Sequence, residues 1–173
     1  MRLRKTIWWC LALVLPFSQP SADSFDEDYE VKSWAEIEVQ LPAFPEKSNL
    51  IPFRVGAITD YQYLIDGKSL SVGSDGVLRF ALVVISPSGA QNISFEGLRC
   101  ATAERRFYAS GRSDKTWSKA RSNKWVGIQG GSNNQYVELY KNYFCSVGAL
   151  EIMNADDARR ALRYGGQPAA TRP

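Results

Sequence analysis

Histidine is absent from all 173 residues. That single absence removes Ser-His-Asp and Cys-His catalytic sets, and with them every imidazole-ligated zinc, iron or copper site. Cysteine is scarce too: only Cys10, Cys100 and Cys145 occur, with no Cys-x-x-Cys spacing. A thioredoxin-type redox motif therefore has no residues to stand on. No Ser-x-x-Lys, nucleophile-elbow, EF-hand or P-loop pattern is present. Nor is there a long hydrophobic run. The longest, residues 7–17, is about 11 residues, well short of the roughly 20 needed to span a bilayer as a helix. Internal repeats and low-complexity tracts are also lacking. No metal and no cofactor is expected.

The short apolar run has a different meaning at the start of the chain. Arg2, Arg4 and Lys5 precede it, and Ser18, Gln19, Pro20, Ser21 and Ala22 follow it. Basic, apolar and small-residue regions in that order make a secretory leader over residues 1–22, with cleavage after Ala22 or, alternatively, after Ser24. Cys10 is preceded by Trp8 and Trp9 and followed by most of the run. That is not the arrangement of a lipid-modified cysteine, so no stable membrane anchor is expected. The reading places the protein outside the cytoplasm, in the periplasm first of all.

Removing the leader changes the charge. The whole chain carries 21 Lys+Arg against 18 Asp+Glu, and three of the basic residues lie in the leader. The mature chain is then neutral, and no nucleic acid is expected as its partner in vivo. About 151 residues remain, a single domain by size, able to bury roughly two thirds of its surface. Two cysteines survive, and an even pair in an oxidising compartment reads as a bridge, Cys100–Cys145.

Along the chain, residues 23–46 hold eight acidic side chains against Lys32 alone. The first part, 23–30, reads as a mobile arm. Ile37, Val39 and Leu41 then alternate with Glu36, Glu38 and Gln40, which predicts a half-buried strand ended by Pro42 and Pro45. Residues 50–55 contain Pro52, so they predict an edge strand. Asp66-Gly67 between two apolar runs is a hairpin signal. Gly73-Ser74-Asp75-Gly76 is a further turn. Residues 77–85 are apolar on both alternations except Arg79, as in a strand covered on both faces. Pro87-Ser88-Gly89 turns the chain into a strand with Ile93 and Phe95 on one face and Asn92, Ser94 and Glu96 on the other. Residues 105–110 form another strand. A helix is expected over 134–144 with Val137, Tyr140 and Phe144 on one stripe. A second helix starts at Asn154 with Asp157 three residues on, buries Ala158, Ala161 and Leu162, and stops at Gly165. The fold class is α+β: an antiparallel β meander with one or two C-terminal helices packed on one face. Residues 23–165 make the domain, and 166–173 a disordered tail.

The residues from Ser69 to Phe80, the run Ser94-Phe-Glu-Gly-Leu-Arg-Cys100, then Trp117, Ala120-Arg121, Trp125 and Tyr143-Phe-Cys145 together resemble the CNP-like family of exported bacterial proteins. The resemblance runs from about residue 25 to about 163. It implies an exported, processed protein with both cysteines in the family core, and it implies no activity, cofactor or substrate.

Two features remain as candidates. Alternation puts Glu96 on the face of Cys100, where burial would raise its pKa. Between residues 99 and 124 there are eight basic residues and only Glu104 and Asp114, with aromatics interleaved. Arg105, Arg112, Lys115, Trp117, Lys119, Arg121 and Trp125 are the expected contact surface for an anionic partner, an envelope component or anionic polymer. The acidic segment 23–46 is a second occupant for the same region. The function expected is that of a non-enzymatic exported envelope protein, binding or structural. The alternative is a carboxylate-dependent hydrolase acting on an envelope polysaccharide. The sequence carries no information on oligomeric state.

Overall fold

A computed structural model describes residues 34–56, 59–122, 124–130, 134–145, 152 and 154–166. The leader, the arm at 23–30 and all of the tail except Gly166 lie outside them. The strands are β1 (Leu50–Phe53), β2 (Gln62–Asp66), β3 (Ser71–Val72), β4 (Val77–Ile85), β5 (Gln91–Arg99), β6 (Glu104–Gly111), β7 (Trp117–Lys119) and β8 (Val126–Gly127). They form one antiparallel sheet in the order β1-β2-β4-β5-β6-β7, with β3 beside β4 and β8 beside β6. Helix α1 (Gln135–Glu138) runs on into a π-helical segment, Leu139–Phe144, and α2 (Ala155–Arg163) follows. The α+β class and the meander stand as read from the sequence. All described residues belong to one compact unit beginning at Trp34.

β4 is the axis of this sheet, and its first seven residues are buried. Even and odd positions face different layers. Leu78, Phe80 and Leu82 pack with Leu98 against Leu139, Tyr143, Phe144, Ala158 and Leu162 of the helical layer. Ala81 packs with Phe95, Tyr108 and Ala109 on the opposite face, where Val39, Leu41 and Trp117 close over them. The apolar run on both alternations is thus explained by a cover on each side.

Asp66-Gly67 does not make the expected hairpin. Ile65 faces Leu82 while Ser71 faces Arg79, so six residues advance opposite three. β2 and β3 are two parts of one interrupted strand lying along β4, not partners of each other. The Ser69 hydroxyl fills the interruption: it donates to the Asp66 carbonyl (2.7 Å) and accepts from the Ala81 N–H (2.8 Å). β7 and β8 repeat the arrangement along β6, where Lys119 faces Ala109 and Val126 faces Arg105.

The segment 34–46 is a second correction. It contains no strand, is followed by a 3-10 turn at Lys47–Asn49, and crosses the sheet face as a strap. Ile37 is 43% exposed, while the Glu36 side chain is only 10% exposed. The alternation is inverted at this pair because ionic partners beneath the strap, described below, attract the carboxylate. The Trp34 indole N–H donates to the Asp75 carbonyl and the Trp117 indole N–H to the Pro42 carbonyl, each at 2.8 Å.

In the C-terminal layer the expected stripe of Val137, Tyr140 and Phe144 is replaced by buried Leu139, Tyr143 and Phe144. The Cys145 N–H reaches back five residues to the Tyr140 carbonyl. A π turn takes more residues than an α turn, so the buried face shifts along the sequence. α2 follows its expectation: the Asn154 side chain accepts from the N–H groups of Asp156 and Asp157, the three predicted residues are buried, and Gly165 adopts φ 78° past the end. The Cys100–Cys145 disulfide, with Cα atoms 5.4 Å apart, ties the end of β5 to the end of the π segment. No helix among the described residues is long and apolar enough to cross a membrane.

Candidate functional site

Glu96 lies opposite Phe80 in the β4–β5 ladder, so it enters the core on the helical side. It is 2% exposed. One carboxylate oxygen accepts from the Ser94 hydroxyl at 2.6 Å and from the Tyr136 hydroxyl at 3.1 Å. The other has no hydrogen-bond partner among the described residues; the Arg105 guanidinium stands 3.7 Å away and stacks on the Tyr136 ring. Two influences oppose each other here. Burial raises the Glu96 pKa, while the hydroxyls and Arg105 lower it, and burial wins. Among the described residues no second carboxylate acts on Glu96.

The strap face carries the larger polar cluster. Arg79, Gly97 and Arg106 lie in one row across β4, β5 and β6. Opposite Phe95 and Glu96, β6 inserts one extra residue, Tyr108, as a bulge. Bulges re-aim side chains, and here the missing side chain at Gly97 leaves the space the Tyr108 ring occupies. The Arg79 guanidinium bonds Asp75 at 2.5 Å and 3.2 Å and Glu36 at 3.3 Å. Arg106 and the Tyr108 hydroxyl both donate to Glu36. Two cations thus meet two anions. Burial disfavours the Arg79 charge, yet its carboxylate partners outweigh burial and raise its pKa; Asp75 is correspondingly held below the ordinary carboxylate range. Burial and Glu36 together push the Tyr108 hydroxyl well above its usual pKa. The Nε donors of Arg79 and Arg106 remain buried with no partner among the described residues. A groove of about 450 Å³ adjoins the cluster, lined in part by Glu36, Arg106, Tyr108 and Lys119.

The residues expected to form one basic and aromatic surface are separated by the fold. Arg105 faces the helical layer through Glu96 and Tyr136, so it leaves that surface. Trp117 is half-buried between Phe44 and Phe95, and Trp125 packs edge-on to Trp34, which also carries the Arg99 guanidinium at 3.8 Å. Both tryptophans serve packing, not an open stacking platform. Arg112, Lys115, Lys119 and Arg121 are exposed, as is Lys124. Among the described residues the two ends of the basic stretch differ: Arg105 and Arg106 are paired to carboxylates, while Lys115, Lys119, Arg121 and Lys124 form no ion pair.

A family model described as the CNP1-like family matches residues 29–163. The chain belongs to the CNP1-like family. No curated protein and no solved structure matches it. The CNP1-like match covers Glu36, Arg79, Glu96, Arg106, Tyr108 and both bridged cysteines. Sequence reasoning on this CNP1-like chain did not bring Glu36, Arg79 and Tyr108 together. Arg79 was the available signal: a lone cation in a doubly covered apolar strand requires a buried anion, and the nearest acidic stretch is the one preceding β1.

Proposed function

We propose that this is an exported, non-catalytic binding protein of the bacterial envelope that holds an anionic partner through the exposed cations of the β6–β8 side. The observation that carries the reading is the unequal treatment of like residues. The arginines that fold inward, Arg79, Arg105 and Arg106, each have a carboxylate. Lys115, Lys119, Arg121 and Lys124 stand in solvent with none among the described residues. Unmatched like charges at such density repel, and a multivalent anion relieves that repulsion. Export is supported by the leader pattern in residues 1–22 and by a disulfide, which persists in oxidising compartments. The groups around Glu96 are two hydroxyls and a guanidinium, so they lend no support to paired-carboxylate hydrolysis, which needs a second acid about 5–9.5 Å away.

Replacing Arg112, Lys115 and Lys119 together by Ala tests the contact surface. Retention of the mature protein on an anionic matrix at low salt falls clearly for the triple variant; unchanged retention removes the surface. Intact mass of the exported protein gives a chain starting at Asp23 or Phe25 without lipid, whereas a mass including residue 1 contradicts export.

A further inference from the structure

Glu36 is held as a ligand is held. It comes from a strap with no ladder bonds to the sheet, yet its two oxygens collect one guanidinium from β4, another from β6, and the hydroxyl of the bulged Tyr108. Three donors from the rigid sheet converge on one carboxylate, the geometry of carboxylate recognition. The receptor is also richer in donors than Glu36 can satisfy. Arg79 is 5% exposed, and its Nε, like that of Arg106, is buried without a partner among the described residues. Asp75 neutralises Arg79 from the turn that precedes β4, so the charge left for Glu36 to balance is that of Arg106. A monoanion therefore keeps the site neutral. The adjoining groove opens onto Glu36, Arg106 and Tyr108, with Lys119 and Glu38 also in its wall, while Arg79 lies behind them.

We propose that Arg79, Arg106 and Tyr108 form a carboxylate-binding site that Glu36 of the chain's own strap occupies, and that an incoming carboxylate reaches it through the groove and replaces Glu36. The site's arginines lie beneath the strap, apart from the exposed cations of the proposed contact surface, and only Lys119 at the groove wall is shared. Displacement releases the Glu36 side chain, while the Ile37 N–H bonded to Asp75 at 3.1 Å and the indole anchors of Trp34 and Trp117 keep the strap seated. The groove volume lies within the range of small-ligand sites. Exchange costs little electrostatically, since one carboxylate leaves the guanidinium as another arrives.

The full mature chain carrying Glu36→Ala is titrated with sodium formate, and its melting midpoint is compared with that in sodium chloride at equal ionic strength. Formate gives a saturable upward shift that chloride does not match, and the shift disappears when Arg106→Gln is added. The parent, with Glu36 in place, shows a much smaller shift. If Glu36→Ala does not fold, Glu36→Gln replaces it: the amide fills the same space without charge, and formate competes with it at lower concentration than with the parent carboxylate. A peptide Trp-Ala-Glu-Ile-Glu-Val-Gln-Leu forms a second arm. Response to the peptide alone assigns the site to a protein segment, and response to formate assigns it to free carboxylates. No carboxylate-specific response from either variant in either arm overturns the proposal.

Discussion

Gly97 gives the sharpest test of how the strap face is built. A Cβ placed on it falls 2.4 Å from the Tyr108 hydroxyl oxygen and 2.9 Å from both Cε2 and Cζ of the ring. The ring has little room to retreat. It packs on Phe95 with centroids 5.5 Å apart, its hydroxyl is committed to Glu36, and the Arg79 and Arg106 guanidinium carbons stand 5.9 Å and 5.4 Å from its centre. Overpacking of this kind costs about 1–3 kcal/mol. Alanine recovers roughly 0.5–1 kcal/mol of backbone entropy relative to glycine in a strand. The net loss for Gly97→Ala is then about 1–2 kcal/mol, or roughly 3–7 °C in melting midpoint for a domain of this size. Thermal and urea unfolding measure it. The decisive control is the same substitution made in a Tyr108→Ala background, where the obstructing ring is gone and Gly97→Ala becomes neutral or slightly stabilising. The two sites are in contact, so their effects must fail to add. Equal costs in both backgrounds, or no cost in the parent, would refute this account of the bulge.

Other expectations rest on separate parts of the fold. Replacing Cys100 and Cys145 together by Ser removes a cross-link over 45 residues and lowers stability by about 4 kcal/mol on chain-entropy grounds; a variant melting within a few degrees of the parent contradicts this. Glu96 has a folded pKa raised above its usual 4.5 by burial. The folded state therefore binds the proton more tightly than the unfolded chain does. The group's contribution is most favourable below pH 4.5 and declines as pH rises through the folded value. Glu96→Gln keeps an acceptor for Ser94 and Tyr136 but cannot ionise. Its stability relative to the parent should rise with pH above 4.5, as read from urea unfolding at a series of pH values; a pH-independent difference means that burial does not raise the Glu96 pKa.

The architecture was legible where one residue type admits one role. β4 followed from a run apolar on both alternations except at Arg79, the turn at Gly76 from a position needing φ of 72°, and α2 from the Asn154 cap and its thin apolar stripe. Pairing was harder. Asp66-Gly67 has the residues of a hairpin turn, but a local dipeptide does not reveal that both flanking runs prefer the exposed edge of β4 to one another. The π segment was illegible for a related reason, because a period of 3.6 was imposed on a stretch that does not keep it. The buried carboxylate at Glu96 was readable from strand parity, since its neighbours Phe95 and Leu98 fix the faces. The Glu36 cluster was not: it depends on contacts 43 and 70 residues apart in sequence. It also depends on a bulge that places Tyr108 where regular alternation would not. Apolar alternation around Ile37 argued for the opposite orientation and lost to the pairing of buried charge.

The most direct measurement for the proposed function is the salt dependence of binding between the mature chain and a linear sulfated glycan. Each cation that neutralises an anionic group releases a counterion, so binding weakens linearly on a log–log plot against salt. Removing Arg112, Lys115 and Lys119 should lower the magnitude of that slope by roughly two to three units and weaken binding at low salt. A parent slope near zero, or a triple variant with the parent's slope and affinity, would show that these cations are solvated surface and that the protein meets its partner elsewhere.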